Sequence, residues 1–79
     1  MTDQAIHPAP DMFSDTEIAT TPILRFFHYK HLPPHLMAVS QPFCELAAKL
    51  TRSMKPSAEL SAALRKLLEA KDCAVRAIL

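Results

Sequence analysis

Three closely spaced histidines, two cysteines and a single tyrosine flanked by cations are the side chains of this 79-residue chain best suited to chemistry. His28, His31 and His35 suggest a metal cluster at first sight. Zinc takes four ligands in a set geometry, however. No cysteine lies nearby, and Pro33 and Pro34 spoil the helical face that His31 and His35 would share. They read better as surface or packing histidines, and no metal or other cofactor is expected. Cys44 and Cys73 each fall inside a helical pattern, and no signal peptide precedes them, so they read as free thiols of a cytoplasmic protein. Neither has the base and electropositive setting that a nucleophile needs. No carboxylate pair stands out as a catalyst, because Glu69 and Asp72 are spaced to meet Arg65 and Arg76 along one helix. The chain is expected not to be an enzyme.

Tyr29 has two readings. A lone tyrosine in a phenylalanine-rich stretch is commonly a packing residue with its hydroxyl at the surface. The alternative is a stacking platform for a base, with Lys30 and Arg25 close enough to add the cation that nucleotide recognition requires. Lys71 is equally two-sided. It projects within about 20° of Leu60 and Ile78, inside an apolar arc, where a cation needs a partner. An ion pair with Glu45 or a snorkelling stem would serve; so would a phosphate met at a subunit interface.

Composition narrows the classes further. The chain contains no glycine, which excludes phosphate loops and dinucleotide fingerprints that depend on close backbone approach. With a formal net charge of +1 there is no general attraction to long nucleic acid or to a membrane surface. No apolar run reaches the length of a membrane span. Any anion site must therefore be local and built from side chains and helix ends.

The elements that position these residues are helical. The last stretch, ELSAALRKLLEAKDCAVRAIL from Glu59 to Leu79, is rich in strong helix formers. At about 100° per residue its apolar side chains fill an arc of roughly 200°, too wide for one partner helix. Upstream, Leu36, Val39, Phe43, Leu46, Leu50 and Met54, joined by Ala47, recur at three- and four-residue spacing from about Pro34. Because the phase survives Pro42, a kinked continuous helix is favoured over a restart capped by Ser40. Lys55-Pro56-Ser57 is a short connection with Ser57 as the next cap, so the two helices form an antiparallel hairpin. The bulky segment from Pro22 to Leu32 is expected to lie across it or to cap an interface. Residues 1–22 read as an N-terminal arm, mobile or docked on a neighbour, with one helical turn signalled by Ser14 and Glu17; residues 23–79 form the hairpin domain. The expected fold is all-α. A hairpin alone would leave Leu68, Val75 and Leu79 exposed to water, which argues for a homo-oligomer.

The segments FFHYKHLPPHLMAVSQPFCELAAKL and ALRKLLEAKDCAVRAIL resemble the hairpin domain of phage anti-CBASS cyclic-nucleotide sponges and of Thoeris anti-defence proteins that sequester cyclic ADP-ribose signals. The resemblance covers Phe26 to Leu79. It implies a hexamer-like homo-oligomer that holds cyclic dinucleotides and trinucleotides such as cGAMP between protomers in the host cytoplasm without cleaving them. By the same resemblance Tyr29 matches a base-stacking aromatic, Lys49 is the nearest match to a phosphate-contacting lysine of the first long helix, and Arg65 matches an arginine facing bound phosphates near the assembly axis. A sponge for cyclic ADP-ribose-type signals is a variant of this expectation. A small adaptor that binds a partner helix is its competitor from another class.

Overall fold

The computed structural model describes residues 13–79. Among them the regular elements are helical and there is no strand, so the fold is all-α. In order they are α1 (Asp15–Thr20), a 3-10 helix (Pro22–Phe27), α2 (Pro34–Ser53) and α3 (Ala58–Ala77).

Helix α1 is short and held at both levels. Ser14 Oγ accepts the Glu17 backbone N–H at 3.1 Å while Glu17 Oε1 accepts the Ser14 N–H at 2.9 Å, the reciprocal capping anticipated from the sequence. The same carboxylate takes both arms of Arg52, from Nε at 2.8 Å and from Nη2 at 2.9 Å. Arg52 also lies 5.8 Å from the Phe13 ring centroid, and Phe13 is buried in the core. From Phe13 onward the expected arm packs on the end of α2 in its own chain. The rest of the expected arm, residues 1–12, lies outside the described residues.

The 3-10 helix starts on Pro22, whose fixed φ suits a first helical position and whose missing N–H is not needed there. With three residues per turn, positions i and i+3 eclipse. Leu24 and Phe27 therefore share one face and are fully buried, whereas Arg25 and Phe26 fall outside it and are exposed. This segment touches α1, α2 and α3, as a crossing layer should. A turn closed by Leu32 N–H to Tyr29 O at 3.0 Å then leads to Pro33, whose carbonyl accepts from Leu36 and Met37 at 2.9 Å and opens α2.

Helix α2 runs through Pro42 without a restart, as expected, but the buried face is not the one the large residues mark. Ser40, Cys44, Ala47 and Ala48 are the buried positions, while Leu46 is 43% exposed and Met54 50% exposed. The buried positions of this helix carry small side chains. The bulky ones flank them, Phe43 and Leu50 partly covered and Leu46 turned outward. Helix α3 packs on α2 across the short connection and is capped as predicted, Ser57 Oγ accepting from Leu60 N–H at 3.0 Å. Leu60 and Leu64 enter the core from α3, and Leu67 and Leu68 pack partly against it. Of the three residues expected to stay wet, Leu68 and Val75 are partly covered and Leu79 is 80% exposed. The folded unit is a slab of 37 × 33 × 16 Å. Its thin dimension is not much more than one helix, about 10–12 Å across with side chains.

Candidate functional site

The sequence singled out Tyr29, Lys30, Arg25, Lys49, Arg65 and Lys71. The fold gathers two of these and separates the others. Arg25 from the 3-10 helix and Lys71 from α3 line one open cleft of about 460 Å³, joined there by Arg76 from the last turn of α3. Phe26, 57% exposed as a residue, also lines it. Three fixed positive charges thus face a cleft that contains a single carboxylate, Asp72, in its lining.

Lys71 is inward-facing, as its place in the apolar arc required, with its side chain 12% exposed. Its partner is not Glu45, which instead accepts from Gln41 Nε2 at 2.8 Å. The ammonium donates to the Phe26 backbone oxygen, lies 3.7 Å from Asp72 Oδ1 and sits 5.9 Å from the Phe27 ring centroid. The carbonyl bond ties the 3-10 helix to α3 across 45 residues of sequence and fixes the cation at the edge of the cleft. Asp72 is engaged by Lys71 rather than by Arg76, whose Nη2 donates to Cys73 Sγ at 3.4 Å.

Two residues of this lining carry polar atoms hidden beneath its surface. His28 Nε2 and Ser40 Oγ are both buried and have no hydrogen-bond partner among the described residues. Burial pushes the His28 imidazole below its ordinary value, helped by the neighbouring His31 and the Lys71 ammonium, so the ring is held neutral. His31 stands edge-on to it with centroids 6.3 Å apart. No group of three or more metal-ligating side chains occurs among the described residues.

Tyr29 is a core residue, 7% exposed, with its ring committed to the cluster around Phe27, Cys44 and Leu64. Base stacking needs an open ring face, and in this segment Phe26 has it. Lys30 occupies the exposed turn after Tyr29 and lines neither of the two main clefts. Lys49 is exposed near the end of α2, likewise apart from both. Arg65 borders a second, separate cleft of about 380 Å³ near the start of α3, beside Thr51 and Ser61. The missed residue Phe26 had a signal in the sequence: after Pro22, a period of three rather than 3.6 puts Leu24 and Phe27 inside and Phe26 outside. Ser40 had none, since a serine within a helix normally bonds a carbonyl of the preceding turn.

Both cysteines are free. Burial raises the Cys44 thiol to about 11, so it stays protonated near neutral pH and has no nucleophilic character. Among the described residues no helix is long and apolar enough to cross a membrane. Comparison with protein-family models, with curated proteins and with solved structures gives no match for this chain.

Proposed function

We propose that the protein binds cyclic oligonucleotide signals, cyclic dinucleotides and trinucleotides, and sequesters them without cleavage, as a homo-oligomer of antiparallel helical hairpins. The observation that carries this reading is the cleft in which the exposed Phe26 ring stands beside Arg25, Lys71 and Arg76. An open aromatic face accepts any base by stacking, and adjacent cations accept the phosphodiester that follows it. The site uses side chains only, as the absence of glycine requires.

Assembly is supported by the apolar side chains left in water: Leu46, Met54, Ile78 and Leu79 are exposed together with Phe26, and contact with further copies would cover them. A cyclic dinucleotide offers two bases and two phosphates around one ring, which suits a pair of identical half-sites related by a two-fold axis. Retention rather than turnover is the part of the reading that a product analysis decides, since Cys44, buried and protonated, is the one thiol whose chemistry the fold defines. His28 and His31 are the pair whose chemistry bears on this point, because splitting a ribose phosphodiester takes an acid and a base acting together.

A thermal-shift screen against cyclic dinucleotides, cyclic trinucleotides, cyclic ADP-ribose and linear dinucleotide controls tests the reading. A ligand that binds only the folded state at 100 times its Kd stabilises it by about 2.7 kcal/mol, roughly 10–20 °C for a domain of this size. Stabilisation by the cyclic dinucleotides is expected. No response to any of them would favour an adaptor that uses the same apolar surface for a partner helix.

A further inference from the structure

We propose that the second cleft, between the start of α3 and the turn that joins α1 to the 3-10 helix, binds small organic carboxylates, with Arg65 holding the carboxylate and an apolar body lying along the cleft. It shares no lining residue with the first cleft, so the inference does not depend on the nucleotide reading.

The two clefts differ in the charges they offer. Among the described residues Arg65 is the one charged side chain in this lining, and neither a carboxylate nor a histidine accompanies it. Arg65 also makes no hydrogen bond or ion pair among the described residues. Glu69 stands one turn further along α3, but a cation four residues before an anion is the less favourable order on a helix. A ligand that neutralises this lining carries a single negative charge, whereas the first cleft sets three fixed cations against Asp72.

The rest of the lining selects the body. Pro22 and Ile23 come from the 3-10 helix and Pro56 from the connection before α3, and all three keep accessible surface, Pro22 and Pro56 being exposed and Ile23 partly so. Leu60 and Leu64, 8% and 1% exposed, close the floor as part of the core and leave those three as the surface a ligand meets. Backbone donors here are already used. Thr21 N–H bonds Glu17 O at 2.9 Å, Leu24 N–H bonds Thr21 O at 3.0 Å, and Ser57 takes the N–H of Ser61 on its carbonyl and that of Leu60 on its hydroxyl, both at 3.0 Å. Pro22 and Pro56 have no N–H to give. Directional polar contact is left to Arg65 and to hydroxyls such as that of Ser61, which precedes Arg65 by four residues and shares its side of the helix. From Ser57 to Arg65 the helix rises about 12 Å, so a slender body can lie along it with its charged end at Arg65. A guanidinium offers two parallel donors to the two oxygens of a carboxylate, and the volume of about 380 Å³ is that of a small-molecule site.

Straight-chain carboxylates from acetate to hexanoate are the probes, titrated into the full nitrogen-labelled chain and read from backbone amide shifts. Shifts are expected at Thr20, Thr21 and Ile23 and from Leu60 to Arg65. Each methylene that leaves water is worth up to about fourfold in affinity, so hexanoate should bind at least about tenfold more tightly than acetate. Hexanol, with the same tail and no charge, should bind more weakly than hexanoate. Arg65 is exposed, so Arg65→Gln should leave the melting temperature unchanged while lowering hexanoate affinity severalfold, to the level of hexanol. Arg65→Lys should fall between the two, because it keeps the charge and loses the fork. Equal affinity for acetate and hexanoate would reduce the site to a solvated cation and overturn the proposal, as would an Arg65→Gln variant that binds hexanoate like the parent. A spectrum in which no residue of this cleft moves at tens of millimolar hexanoate, or in which the shifts gather around Phe26 and Lys71 instead, overturns it as well.

Discussion

Exchanging Phe26 and Tyr29 in turn for alanine separates packing from recognition, because the two aromatic rings stand only three residues apart and on different sides of the fold. Tyr29 is 7% exposed and sits in the core, so Tyr29→Ala leaves a cavity under the crossing segment. Large aromatic-to-alanine changes in cores cost about 3–5 kcal/mol, a large part of the roughly 5–15 kcal/mol that holds a small domain together. At about 4–8 °C per kcal/mol for a chain of this length, the melting temperature should fall by more than about 12 °C. Phe26 is 57% exposed, so most of its ring contributes little to folding, and Phe26→Ala should cost about 1 kcal/mol or less. Its effect should appear in binding instead. Stacking on an aromatic ring is worth about 1–3 kcal/mol per base, which is roughly five- to 150-fold in Kd for a cyclic dinucleotide. Differential scanning calorimetry reads the first quantity and isothermal titration calorimetry the second, and Phe26→Tyr should retain most of the affinity. The reasoning is refuted if Phe26→Ala binds like the parent while Tyr29→Ala, still folded and of the same size, loses the ligand.

The strap on α1 has a pH signature. The Arg52 guanidinium, then the Ser14 backbone N–H, hold the Glu17 carboxyl down to about 2 from an ordinary 4.5. A depressed folded value means that the contribution is complete above the unfolded value and is lost as pH falls through the folded one. Because half of the Arg52 side chain is in water, the pair should contribute no more than about 1 kcal/mol. The stability difference between the parent and Glu17→Gln should be present at pH 6 and shrink toward pH 2 in thermal melts; a constant difference would contradict the assignment. In the core, Leu64→Ala removes a side chain that is 1% exposed and should cost about 2–5 kcal/mol in urea unfolding, against near-neutral behaviour for Leu79→Ala. Sedimentation velocity at micromolar concentration should show a multimer, and a monomer there would remove the assembly from the proposal.

Much of the helical order was legible from the sequence, and the exceptions have physical causes. Ser14, Ser57 and Pro34 marked helix starts correctly because capping is local chemistry, decided within four residues. The inward position of Lys71 followed from periodicity alone, but its partner did not. A backbone oxygen 45 positions away belongs to tertiary structure, and Glu45 was only the nearest carboxylate that pattern could suggest. The buried face of α2 was misjudged because hydrophobic size was taken as the marker of burial. The buried positions went to the small residues Ser40, Cys44 and Ala47, and Leu46 and Met54 were left exposed. Tyr29 drew attention by type and by neighbouring cations, yet it lies past the 3-10 helix, whose period decides only that Phe27 turns inward and Phe26 outward. The docking of Phe13 and Glu17 depends on Arg52, 35 residues beyond Glu17, so nothing local announced it.

The central claim is that the cleft holds a cyclic nucleotide and returns it unchanged. Incubating the protein with excess sites over a cyclic dinucleotide, removing unbound ligand by filtration, releasing the remainder by heat and identifying it by chromatography and mass spectrometry tests both halves at once. Retention on the filter and recovery of the intact cyclic species are expected, with retention reduced in Phe26→Ala. Free passage of the nucleotide through the filter, or release of a linear product, would contradict the account.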